Sequence, residues 1–236
     1  MHESTATEST ATLDLWEALA GTTPPARGAT VLVARGLAQD AAAAGELPLA
    51  VAAREALAEL RARAGPEVDT VLTCPVCEAL LDVPLPLDDV LAGSDVGETT
   101  QRVSGVEVRG PTTSDVVAAL ASPDPAATLR ARCETWPAGT RPEDDPDLAA
   151  RVAAAAERLA GAAGVTVRLD CPQCGSDVLA DVDVVRLLTE RVTEQAQAVL
   201  TDVATLAVAF GWSEQEVLAL SPARFRAYLG LARARV

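Results

Sequence analysis

The sequence predicts an α+β fold, mainly helical, with two short β-hairpins and a helical C-terminal segment. Three observations support this. Over much of the 236-residue chain apolar side chains recur at helical spacing, punctuated by Gly and Pro. Two stretches, "VLTCPVCEALLDVPL" and "VRLDCPQCGSDVLAD", alternate with a period of two around a Cys-Pro-x-Cys turn. Half of the chain is apolar (49%) but only 3% is aromatic, so a core of this length must be built from Ala, Val and Leu.

In chain order, the Thr/Ser-rich stretch 1–12 is expected as a disordered tail. "LDLWEALAG" from Leu13 reads as a helix stopped by Gly21 and a Thr-Thr-Pro-Pro turn. A second helix is expected around 26–43. A third is expected over "AVAAREALAELRARAG", with Leu57 and Leu60 on one face and an end at Gly65-Pro66. These helices form an N-terminal segment, 13–66.

An α/β region follows, 67–186, containing both knuckles. After the first, Leu81, Val83, Leu85 and Leu87 alternate with Asp82, Pro84 and Pro86, the pattern of a half-buried strand that prolines confine to an edge. Residues 102–109 read as a strand with Gly105 as a bulge. Thr and Ser cap "PTTSDVVAALAS", while Asp124 caps the next helix with Pro125 at its first position. Residues 134–146, rich in Pro and acids, are expected as a mobile loop, and "DLAARVAAAAERLAG" as a helix.

Around the second knuckle Val165, Val167 and Leu169, then Val178, Ala180, Val182 and Val184, mark two more strands. Strand, CPxC and strand therefore occur twice, a weak internal repeat. A long helix is expected over 183–210, within a C-terminal helical segment, 187–236. Ser213 and Glu216 form a capping box with Trp212 and Val217 as its staple, and Leu220 and Phe225 flank a last start at Ser221-Pro222. The parts are expected to form one discontinuous domain.

Charge and missing residue types remove whole classes of function. The formal charge of −15, from 34 acids against 19 basic residues, repels phosphate backbones and disfavours nucleic acid as the main partner. There is no Lys, so phosphate-loop and Schiff-base lysines are excluded. The absence of Lys, Ile and Asn fits a GC-rich bacterial or bacteriophage gene. The single His is His2, in the tail, which leaves no basis for an imidazole base. The acid pairs Asp88/Asp89 and Asp144/Asp145 read as solvated loop charge rather than paired catalytic carboxylates. No long apolar run and no signal-peptide order occur, so a cytoplasmic protein with reduced thiols and no membrane partner is expected.

Cys74, Cys77, Cys171 and Cys174 are the candidate metal ligands. Structural zinc takes four soft ligands in a tetrahedron, and each CxxC turn supplies two converging thiolates. Strands on both sides of each turn give a zinc-ribbon-like site, here joining two distant hairpins. A metal-free or oxidised cluster and thioredoxin-like exchange are the alternatives. Exchange is weakened because a reactive CxxC sits at a helix N-terminus, whereas both motifs lie between strands. Glu78 stands where the second turn has Gly175, making the first knuckle the looser one. Cys133, at a helix end, reads as a small buried apolar residue. Four protein ligands leave no position for water, so catalysis at the metal is not expected.

The order of "LDLWEALAGTTPPARGATVLVARGLA", "LPLAVAAREALAEL", "LTCPVCEALLDVPLPL", "VRLDCPQCG" and "VATLAVAFGWSEQEVLALSPARFRAYLGL" resembles one family. This is the baseplate proteins, or hub assembly chaperones, of T-even-like contractile phage tails and extracellular contractile injection systems. The resemblance spans most of residues 13–233 and is most specific in "GWSEQEVLALSPARFRAYL" together with the knuckles. It implies a non-enzymatic structural or assembly protein whose partners are baseplate, hub or spike proteins. Trp212, Phe225 and Tyr228, scarce aromatics near the end, are the candidate partner-binding residues, although staple and packing roles account for them as well. The alternative is a nucleic-acid-binding regulator, a zinc ribbon plus a helix-turn-helix over 213–232 bearing Arg224, Arg226, Arg233 and Arg235.

Overall fold

A computed structural model describes residues 4–94, 96–161 and 164–234 of the chain. It is mixed helix and strand with small antiparallel sheets, as the α+β reading requires. Residue contacts divide it into two compact units, one of Met1–Gly21 with Thr189–Val236, the other of Thr22–Leu188. The divisions expected at 66/67 and 186/187 differ at the first: the second and third helices group with the knuckles, and only the first helix groups with the C-terminal ones.

The first helix, α1, runs Ser4–Ala20. Residues 4–12, expected as part of a disordered tail, continue the helix N-terminally from Leu13. Ala, Glu and Thr are tolerated on an exposed helical surface, while Thr12, Leu13, Leu15 and Leu19 are buried and anchor it. The tail's first three residues, including His2, lie outside the described residues.

In the larger unit, the helix expected over 26–43 is two: α2 (Arg27–Ala34) and α3 (Ala41–Gly45). Asp40 caps α3 by accepting the Ala43 N–H at 2.8 Å, so the chain restarts a helix rather than continuing one. Helix α4 (Leu49–Ala64) buries Leu57 and Leu60 as its pattern demands. Ala29, Leu32, Ala44 and Ala52 form the core among these three helices.

Strands β1 (Glu67–Thr73) and β2 (Leu80–Pro86) form the first antiparallel hairpin. Its inner face buries Thr70, Leu72, Leu81 and Leu85, and β1 and β2 pack against the short helix α5 (Leu87–Gly93). Asp88 and Asp89 occupy the first turn of α5, not a loop, where helix-dipole attraction favours acids; Asp88 pairs with Arg61 of α4. The other acid pair has turn-forming roles. Asp144 accepts the Arg141 N–H and Asp145 the Leu148 N–H, each at 2.9 Å.

Residues 102–109 are a hairpin rather than one bulged strand, β3 (Thr100–Val103) with β4 (Val106–Arg109). Ser104 and Gly105, at φ 48° and 95°, make the two-residue turn whose left-handed backbone matches strand twist. Helices α6 (Thr113–Leu120) and α7 (Pro125–Cys133) follow with the expected caps at Thr112 and Asp124. Part of the expected loop is ordered: β5 (Glu134–Thr135) adds a third strand beside β4, and Pro142–Asp144 makes a turn of 3-10 helix. Val106 and Val108 pack under α8 (Pro146–Gly161) through Val152, Ala155 and Leu159. Strands β6 (Val165–Asp170) and β7 (Asp177–Val182) complete the unit as the second hairpin.

Helix α9 (Val184–Phe210) enters the smaller unit at Thr189. There α10 (Glu214–Leu218) starts at the expected capping box, with the Ser213 Oγ and Glu216 carboxylate bonded reciprocally to backbone N–H groups. Helix α11 (Pro222–Arg233) closes the unit, whose core joins Val203, Leu206, Val217, Leu229 and Ala232. No helix among the described residues is long and apolar enough to cross a membrane.

Candidate metal centre

The turn between β1 and β2 and the turn between β6 and β7 adopt the same local conformation. In the first, Cys74 donates its N–H to the Ala79 carbonyl and Glu78 donates to the Cys74 carbonyl, both at 2.9 Å. In the second, Cys171 donates to the Ser176 carbonyl and Gly175 to the Cys171 carbonyl, both at 2.8 Å. The residue after each second cysteine is left-handed, Glu78 at φ 59° and Gly175 at φ 71°. Glu78 therefore takes up the glycine conformation, at a cost of about 1 kcal/mol in local strain, rather than opening the turn. The first knuckle is strained, and it is as tightly closed as the second.

The two turns bring four sulfurs together from distant parts of the larger unit's sequence. Cys74 Sγ lies 3.8 Å from Cys174 Sγ, and Cys77 Sγ lies 3.7 Å from Cys171 Sγ. All four lie within 4.8 Å of one another. A tetrahedron of Zn–S bonds of about 2.3 Å has S···S edges of about 3.8 Å, so the spacing fits a four-thiolate shell. The donor set is soft and suits zinc or a single iron ion. Cys74 and Cys171 are buried while Cys77 and Cys174 are exposed, so the centre sits at the surface with one sulfur of each turn inward.

The protons on these sulfurs are unequally held. The Ser176 hydroxyl, then the Cys77 and Val76 N–H groups, lower the Cys74 thiol to about 6. Ser176 also leads the lowering of Cys174. Cys77 is raised to about 12: the Ala79 N–H draws it down, but partial desolvation by its surroundings and hydrogen bonding with the three neighbouring sulfurs outweigh that bond. A metal binding here must expel protons from the thiols that still carry them.

Ser176 escaped the sequence reading. Its Oγ lies 3.0 Å from Cys174 Sγ and 3.5 Å from Cys74 Sγ, placing one hydroxyl between sulfurs of different knuckles. A small hydroxyl residue immediately after the Gly of CPQCG was the available signal. Only the arrangement of the two turns shows that it also reaches Cys74.

Cys133 is buried and lies outside the sulfur cluster, as its reading as a packing residue required. Its Sγ contacts Asp115 at 3.8 Å, within a second constellation that no spacing announced. The fully buried Asp115 carboxylate accepts from Arg109 at 2.9 Å, from Arg132 at 2.7 Å and from the Thr112 N–H at 2.9 Å. Burial opposes its charge, but the Arg109 guanidinium, with Thr112 and Arg132, holds it well below the usual carboxylate range.

The aromatic candidates lie in the core of the smaller unit. Trp212 stacks on Phe210 at 4.8 Å between centroids, and Tyr228 stands edge-on to both, at 4.8 and 5.5 Å. Phe225 packs against the same cluster, and all four rings are half-buried. Of the candidate basic residues, Arg224 and Arg226 are exposed on α11, Arg233 pairs with Asp202 at 2.8 Å, and Arg235 lies outside the described residues.

No protein-family model matches the chain, and neither does any curated protein or solved structure compared with it.

Proposed function

We propose that this chain is a non-enzymatic structural or assembly protein for the baseplate of a phage-tail-like contractile apparatus, folded around a structural zinc. The observation that carries the structural role is the cluster of four thiols: the sulfurs of Cys74, Cys77, Cys171 and Cys174 lie within 4.8 Å of one another, two pairs of them at 3.7 and 3.8 Å. With all four positions taken by protein, no place remains for a metal-bound water or substrate. Zinc held there would supply a cross-link between two hairpins that are far apart in sequence. The chain's own groups prepare it: backbone N–H groups and Ser176 favour the thiolate forms of Cys74 and Cys174, and the paired turns aim the sulfurs inward.

The baseplate assignment rests on the sequence resemblance, above all on the stretch from Gly211 to Leu229 combined with the two knuckles. Its partners would be hub, spike or baseplate proteins, and Trp212, Phe225 and Tyr228 would lie at or beneath the contact. The cytoplasm, where such particles assemble, would be its place of action.

Two measurements test the reading together. Elemental analysis of the purified chain should find one zinc per chain, lost on Cys171→Ser. Deleting the gene in its host should leave contractile particles absent or without complete baseplates in electron micrographs. Normal particles from the deletion strain, with no tail protein co-purifying with the tagged chain, would refute the assembly role whatever the zinc content.

A further inference from the structure

The two knuckle hairpins are alike in backbone but differ on their outward faces. On the second, polar pairs cover part of the face: Arg168 pairs with Asp177 at 3.0 Å and Thr166 donates to Asp181 at 2.8 Å, while Leu179, in register with Arg168, is 64% exposed. On the first, the outward positions of the paired strands are Glu67 with Pro86, Asp69 with Pro84, Val71 with Asp82, and Thr73 with Leu80. Four are apolar and three acidic, and none is basic. Val71 and Leu80, diagonal neighbours, are 54% and 73% exposed, and Val76 at the tip is 68% exposed. No ion pair or side-chain hydrogen bond engages Glu67, Asp69 or Asp82 among the described residues.

A single exposed Val or Leu is ordinary, but neighbouring exposed apolar side chains interleaved with unpaired carboxylates are the composition of a contact surface. We infer that the outward face of the β1–β2 hairpin docks a segment of a partner protein that carries apolar and basic side chains together. Apolar groups of that segment cover Val71 and Leu80, and its Arg or Lys groups meet Glu67, Asp69 and Asp82. Charge complementarity selects this occupant over an acidic segment, and over a second copy of a chain whose net charge is −15. The face belongs to the same hairpin that supplies Cys74 and Cys77, so the metal centre would hold it in shape. The inference concerns the face alone and stands whether or not the partner is a baseplate protein.

A fluorescein-labelled synthetic peptide alternating Arg with Val and Leu, and its Glu-for-Arg counterpart, provide the probe. Anisotropy titrations against the full-length, zinc-loaded protein should show binding of the basic peptide only. Val71→Ser with Leu80→Ser should weaken it about tenfold, and Asp69→Asn with Asp82→Asn several-fold, most strongly at low salt. Leu179→Ser, on the other hairpin, should change nothing. Hydrogen exchange of the unmodified protein with peptide should slow within 67–86 and not within 165–182, an arm that needs no variant to fold. Equal binding by the Val71/Leu80 variant would overturn the inference, as would protection elsewhere. No binding at all, or a change only in oligomeric state on Val71→Ser/Leu80→Ser, would also overturn it, the last by making the face a contact between copies.

Discussion

Ser176 shows how a single hydroxyl acts on the four-cysteine cluster. Its oxygen lies within hydrogen-bond distance of a sulfur on each knuckle, and such outer-shell bonds typically contribute tenfold or more to metal affinity. Ser176→Ala should weaken zinc binding about tenfold in competition with a chromophoric chelator, while the fold, read by circular dichroism, is kept. The same titration has a definite pH dependence. Cys77 is protonated throughout the neutral range and must release its proton to bind, so affinity rises with pH. Below about 6 Cys74 is protonated too, one more proton must leave, and the fall in affinity steepens. A pH-independent affinity between 5.5 and 8 would contradict this picture. Glu78, held at φ 59°, is the remaining local cost. Glu78→Gly should raise the unfolding free energy by about 0.5–1 kcal/mol, the left-handed strain less the entropy of an added glycine, seen as a higher urea midpoint at unchanged slope.

Among the elements, the assembly of β4, α6 and α7 depends on one carboxylate. Asp115 completes the capping box of α6 with Thr112 and also holds Arg109 at the end of β4 and Arg132 in the last turn of α7. Asp115→Asn keeps the volume and the cap acceptor but leaves two arginines without their charge partner. A loss of about 3 kcal/mol is expected, at the low end for a broken buried pair because both guanidinium groups are partly solvated. The carboxylate is depressed in the folded state. Its contribution is therefore complete above the unfolded value near ~4 and is lost as pH falls below it. Wild type and the Asn variant should converge in stability only in that acid range. Sequence showed the local part of this arrangement, the Thr and Ser signals before α6 and the Asp124-Pro125 start of α7. It was silent on the Arg109–Asp115–Arg132 gathering, because Arg and Asp are common surface residues and nothing in their spacing marks a buried pair. Local signals also cut the expected helix over 26–43 in two, at the left-handed Gly36 and the Asp40 cap, and turned the strand over 102–109 into a hairpin at Ser104-Gly105.

Across the whole molecule, the candidate metal centre lies within the unit of Thr22–Leu188 and not in the unit formed by α1 with the C-terminal helices. Chelating the metal should therefore accelerate hydrogen exchange in 67–86 and 165–182 well before it affects 199–232, and restored zinc should reverse the change. Uniform acceleration along the chain would show instead that the centre supports all of it. The sequence was enough to identify the four cysteines that cluster and their pairing into two turns, the strand arms beside them, the Ser213–Glu216 capping box and most helix ends. Each depends on residues at most a few positions apart, where backbone geometry dictates the pattern. It was not enough to show that Ser176 bridges sulfurs of both turns, that Glu78 accepts the glycine conformation, or that α1 joins the C-terminal helices. Those outcomes depend on which apolar faces bury one another across distant parts of the chain, and an Ala, Val and Leu core, alike in chemistry throughout, carries no label of its partner until it is packed.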